Sequence, residues 1–239
     1  MESTPNVLTS AGFVALTAIM FTLLYLEINR AINLTSWTEE RKRSILRRFL
    51  LSIILWPALI LAVSASGFFE DFSSFPPRFV IVLVVPMITI ITTVLSKPAK
   101  ELLLFIPARN IVRLQVFRIF VELLIWAAFA QNALPEQMTF EGRNFDILSG
   151  IGGVVAAYLF ANNRTALYIY NFIALGLLIN IVATAILSLP TPFRVFMNEP
   201  SSSLVAHFPF ILLPGMLVPL AYGLSFLSLR QLGLSKKNS

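Results

Sequence analysis

Residues 115–126 read QVFRIFVELLIW. All but three are aliphatic or aromatic, as in a helix that crosses a bilayer. The exceptions are Gln115, Arg118 and Glu122. At about 100° per residue on an ideal helix, the three fall within roughly 60° of one another. An ionised side chain at the centre of a membrane helix costs about 2.5–3.5 kcal/mol on insertion scales. The stripe is therefore expected to face the interior of a helix bundle. Arg118 and Glu122 are four residues apart and can meet on one helix face. They read either as a substrate or ion site, or as a self-neutralising pair that pins helix packing.

The whole chain fits a bilayer solvent. Of its 239 residues, 57% are hydrophobic and 13% charged, and the mean hydropathy is +0.81. Soluble domains carry about 25% charged residues. Cysteine is absent and histidine occurs once, at His207. Disulfides, thiolate chemistry and metal sites built on several histidines are excluded, and neither a metal site nor a cofactor is expected. The opening MESTPNVLTS has no Lys or Arg. It lacks the basic start of a signal peptide, so the first apolar run reads as a retained span.

Apolar segments of spanning length lie at about 7–28, 46–68, 78–96, 111–133, 146–162, 166–188 and 208–228. The fold class is therefore all-α: an integral membrane bundle of about seven transmembrane helices, in one domain covering 1–239. With the N-terminus outside, one side collects Arg30, Arg41, Lys42, Arg43, Arg47, Arg48, Lys97, Lys100, Arg109, Arg113, Arg118, Arg164, Arg230, Lys236 and Lys237. Of the 18 basic residues, only Arg78, Arg143 and Arg194 are left on the other side, with Glu2, Glu70, Asp71, Glu136, Glu141 and Glu199. The positive-inside rule then sets the N-terminus out and the C-terminus in. The net charge is +6, but in a membrane protein the distribution of the charges matters more than their sum, and no nucleic-acid partner is expected. Segment 100–110, KELLLFIPARN, contains no spanning length. It is open between an interfacial piece, a re-entrant turn and an extension of the fourth helix to a break at Pro107.

Other polar groups are weighed beside the stripe. MTFEGRNFDILSG, 138–150, leads into the fifth helix. Its Glu141, Arg143 and Asp146 could converge on an extracytoplasmic ligand. The alternative is a turn around Gly142 with Asn144 or Asp146 capping the helix. In the sixth helix, Asn180 and Thr184 share a face, and Asn180 is a candidate partner for the stripe. Tyr222, Ser225 and Ser228 recur at three-residue spacing in the seventh, after Pro214 and Pro219. They either line a path or satisfy carbonyls that the prolines free. GIGG, 150–153, suits close packing of a neighbouring backbone.

What is missing narrows the function. No lysine lies between Lys100 and Lys236, which excludes a retinal Schiff base in the last span. HExxH and GxSxG are absent, and no catalytic constellation is visible. The arrangement of Gln115, Arg118, Glu122, Pro135 and residues 138–147 resembles that of a group of uncharacterised bacterial multi-pass membrane proteins. The resemblance covers the fourth and fifth spans and their loop. It implies a plasma (inner) membrane setting and carries no activity. The leading expectation is a small transporter or channel-like protein using Gln115, Arg118 and Glu122, with Asn180, on a small molecule or ion. The alternative is a sensor or assembly subunit that takes a ligand at 138–146 and a cytoplasmic protein at the basic stretch 37–48.

Overall fold

The computed structural model describes residues 5–74 and 76–235. Glu2, Lys236 and Lys237, which enter the charge asymmetry, lie outside them. The described residues form helices and turns, without a strand.

Helix α1, Val7–Asn33, starts where the Asn6 side chain accepts the Thr9 N–H at 2.9 Å. Helix α2, Glu39–Ser64, begins well before the hydropathy boundary at 46. Thr38 caps it through the Arg41 N–H, and Glu39 and Glu40 in its first turn complement the positive end of the helix dipole. Arg41, Lys42 and Arg43, which precede the expected span at 46–68, therefore ride on a helix. Helix α3 is Val80–Leu95. At Ser96, whose hydroxyl caps the next helix, the chain bends by 64° into α4, Lys97–Leu103. Segment 100–110 thus divides between α4 and the start of α5, Ala108–Leu114, with Pro107 at the head of α5. Helix α6 is Phe117–Ala130, α7 is Ile147–Leu159 and α8 is Arg164–Leu187. A π-helical segment, Leu213–Leu217, runs directly into α9, Val218–Ser235.

Four helices are long and apolar enough to cross a bilayer: α1, α2, α8 and the continuous Leu213–Leu234. The bent pair α3–α4 makes five if it counts as one span. The chain is on this ground a candidate multi-pass membrane protein. The two remaining expected spans are reduced. The segment at 111–133 is broken at 115–116 between α5 and α6. The segment at 146–162 yields the 13 residues of α7, about 20 Å of helix against a hydrocarbon core of about 30 Å.

Helix α9 is the axis of the bundle. Of its apolar window 72% is buried, against 6% for α2. It packs against α3, α5 and α8. Helix α2 instead turns Leu51, Ile54, Leu55 and Leu59 outward, as a lipid-facing helix does. Pro219 has no N–H to offer the carbonyl four residues before it, that of Gly215. The indole of Trp56 on α2 donates to that carbonyl at 3.0 Å, which fastens α2 to the axis.

Some hydrogen bonds between distant segments fall near helix ends, in two groups. In one, the Asn6 N–H donates to Gln131 Oε1 at 2.6 Å, Ser64 to the Ala206 carbonyl at 2.7 Å and Gln137 to Ser188 at 3.0 Å. In the other, Asn110 donates to Glu27 at 2.7 Å, the Trp37 indole to Glu101, and Arg230 to the Ser96 carbonyl at 2.9 Å. Arg41 also pairs with Glu101 at 3.0 Å.

Candidate functional site

The break between α5 and α6 decides which stripe residues work together. The 60° arc assumes one unbroken helix through 115. In the structure, residues 115 and 116 form a turn, with the Arg118 N–H donating to the Gln115 carbonyl at 3.1 Å. The Gln115 side chain is redirected to α9, where its Nε2 donates to the Ala221 carbonyl at 3.2 Å and to Ser225 Oγ at 3.0 Å. Arg118 and Glu122 stay on α6 and face a cavity of about 70 Å³.

Arg118 does not pair with Glu122. Its guanidinium meets Asp146 in a two-point fork: Nε donates to Oδ2 at 2.7 Å and Nη2 to Oδ1. Nη2 also donates to the Ala174 carbonyl on α8 at 3.0 Å. The third guanidinium nitrogen, Nη1, has no partner, although the residue is only 1% exposed. Fork geometry fixes the guanidinium plane and gives the stronger class of hydrogen bond. Glu122 is also 1% exposed. Its Oε2 accepts from Asn144 Nδ2.

The loop before α7 delivers both Asn144 and Asp146. A Cβ on Gly142 would lie 2.4 Å from the Glu136 carbonyl oxygen, so only glycine lets the loop press onto 136–137. Asn144 Nδ2 donates to the Met138 carbonyl at 2.8 Å, and its Oδ1 accepts the Asp146 N–H at 3.0 Å. Of the two expected caps, Asn144 does serve a backbone N–H at the head of α7, that of Asp146, and Asp146 does not cap. Asp146 stands at the head of α7 without a side-chain cap, because Arg118 draws its carboxyl inward. Ser149 Oγ completes it at 3.1 Å. Helix α7 reaches α6 closely enough for this because of the glycines. A Cβ on Gly150 would sit 2.6 Å from Ile119 Cγ1 and 2.8 Å from its backbone nitrogen.

The outer triad is split. Asp146 is buried with Arg118, whereas Glu141 and Arg143 are exposed. Glu141 Oε1 accepts the Trp126 indole N–H at 2.7 Å, and the Arg143 guanidinium lies 5.3 Å from the Phe196 ring centre. Asn180 is also exposed. It donates to the Arg143 carbonyl at 2.8 Å and stands apart from Gln115, Arg118 and Glu122. Ser225 and Ser228 are fully buried. Ser225 meets Gln115, and Ser228 accepts from Asn171 Nδ2 at 2.9 Å. They are packing contacts of α9 and do not line the cavity.

The cavity itself is mostly apolar. Its walls include Phe79 and Leu83 at the start of α3, Val121 on α6, Leu178 on α8 and Leu217 and Ala221 around the start of α9. Arg118, Glu122 and Asp146 supply its charged groups. Sequence reasoning weighed Asn144 only as a cap. Nothing local marks it as the partner of a carboxyl 22 residues earlier. Among the described residues no group of acidic, histidine or cysteine side chains could hold a metal ion.

A family model described as a domain of unknown function, DUF8737, matches residues 74–233, and the chain belongs to that family. No curated protein and no solved structure matches it. Arg118, Glu122, Asn144 and Asp146 all fall within the matched residues.

Proposed function

We propose that this DUF8737 member is a seven-span inner-membrane protein that carries a small solute or ion past the Arg118–Glu122 wall of its cavity. The N-terminus is outside and the C-terminus inside. The two groups of hydrogen bonds near helix ends support seven passages, with α5–α6 and α7 as the short ones. The charge asymmetry supports the orientation.

One observation carries the reading: three ionisable side chains from α6 and the head of α7 converge on one mostly apolar cavity. The cluster holds one guanidinium and two carboxyls. It is neutral only with one proton or one bound cation, and uncompensated buried charge is costly. Asp146 is engaged at both oxygens by Arg118. Glu122 is therefore the acceptor, and Arg118 Nη1 is the donor left for a ligand oxygen. The test uses protons as the probe. Purified protein is reconstituted into liposomes with a trapped pH dye, and a potassium diffusion potential is applied. The potential drives a change of internal pH in wild-type liposomes and not in those with Glu122→Gln, at equal folded yield. Equal traces for the two would sink the carrier reading.

A second reading rests on the 138–146 loop. Exposed Glu141 and Arg143 alternate with buried Asn144 and Asp146, so a ligand held outside would pull on Arg118 and Glu122 through one short stretch. A sensor of this kind shows no proton flux, keeps its response in Glu122→Gln and is disabled by Arg143→Gln or by loss of Asp146. The basic stretch 37–48 would then serve a cytoplasmic partner.

A further inference from the structure

A second concave site shares no lining residue with the cavity. Helices α1, α5 and α9 and the turn between α7 and α8 enclose a cleft of about 850 Å³. Four arginines line it: Arg30, Arg109, Arg113 and Arg164. No carboxylate does. Arg164 is held in place, donating from Nη2 to the Leu232 carbonyl at 2.6 Å. Among the described residues, Arg30, Arg109 and Arg113 enter no salt bridge. Glu27, one turn from Arg30 on α1, is the nearby acid. It does not line the cleft but accepts from Nδ2 of the lining residue Asn110 at 2.7 Å, one acid at the edge of four arginines.

A solvated basic helix face spreads its charges apart. Here three separate helices bring four of them to one hollow, and like charges brought together repel unless an anion joins them. We infer that the cleft binds a phosphate-bearing group. Several planar guanidiniums match the oxygens of a phosphate better than a single carboxylate, which one fork already satisfies. Asn110 and Asn162 add neutral amides to the lining. Tyr158 belongs to the lining as well and is 70% exposed, with Leu159 beside it at 73%. An aromatic and apolar rim around a basic hollow suits the headgroup of an anionic phospholipid, and basic pockets between membrane helices bind such headgroups. A soluble phosphate offers the same oxygens without the acyl chains.

The experiment uses full-length protein, stripped of lipid in a neutral detergent. It is titrated with short-chain phosphatidylglycerol, with matched phosphatidylcholine and with inorganic phosphate, and affinity is read from the melting shift. Wild type binds phosphatidylglycerol and not phosphatidylcholine. Each arginine contributes roughly fivefold, so Arg109→Gln with Arg113→Gln weakens binding roughly 25-fold. The control pair Arg43→Gln with Arg47→Gln, exposed on α2 away from the cleft, leaves it unchanged. Binding of inorganic phosphate alone, lost in the same cleft variant, names the soluble source and keeps the site. Where the double variant folds poorly, Arg30→Gln replaces it, with a loss of roughly fivefold. Equal weakening by the cleft and control pairs, or no anion binding by wild type, overturns the inference.

Discussion

Two buried polar seams run through this bundle, and they differ in kind. In the first, Gln115 meets Ser225 and Asn171 meets Ser228 along α9. Every side chain is neutral, and none of them lines the cavity. In the second, Arg118, Asp146, Glu122 and Asn144 join α6 to the head of α7. Its members are mostly charged, and three of them form a cavity wall. Unpartnered atoms occur in both. The amide oxygens of Gln115 and Asn171 are sealed in packing, whereas the unpartnered Arg118 Nη1 belongs to a wall residue. Polarity buried in a membrane helix is thus not itself the mark of a site. In the α9 seam it is interhelical glue. Only where charge meets open volume does chemistry have room.

The contrast is sharpest at Arg118. Arg118→Leu strands the Asp146 carboxyl and should cost about 3–5 kcal/mol, read as lost folded yield and a lowered melting temperature in detergent. Replacing both Arg118 and Asp146 by leucine restores most of that loss if the pair is structural. The double variant should still fail the proton assay. Next comes Gly150→Leu, which forces α7 off α6 and costs about 1–3 kcal/mol by overpacking. In the α9 seam, Ser225→Ala removes one neutral partner and costs about 1 kcal/mol, with Gln115 keeping its bond to the Ala221 carbonyl. Were Ser225→Ala to cost as much as Arg118→Leu, the distinction between the seams would collapse. The smallest effect is Glu141→Gln. It changes a solvated acceptor of the Trp126 indole and should leave the melting temperature where it is.

Much of this was legible in the chain. Arg118 and Glu122 could be assigned to the bundle interior because hydrocarbon excludes charge, and both are buried. Close packing at 150–153 followed from glycine, and Ile119 presses on Gly150 as expected. The true partner of Arg118 was not legible. The i, i+4 spacing offered Glu122, and Asp146 read as an outer ligand group or a cap, because sequence displays neighbours along a helix and hides those across it. The turn at 115–116 was hidden too, since neither Gln115 nor Val116 is a helix breaker. The early start of α2 was available in Thr38, Glu39 and Glu40, but hydropathy masks a helix that begins in water. The cavity has no signature in sequence, since it is bounded by ordinary Leu, Val and Phe side chains.

The bond from Trp56 to the Gly215 carbonyl also has a practical side. The protein has three tryptophans, and their indoles donate at three separate places. Trp37 reaches Glu101, Trp56 the π-helical segment before α9, and Trp126 Glu141 on the opposite rim. Any motion that slides α9 against α2 must alter the middle fluorophore first. Two Trp→Phe replacements at a time would therefore turn the chain into its own optical gauge, with one emitting residue reporting on one part of the bundle.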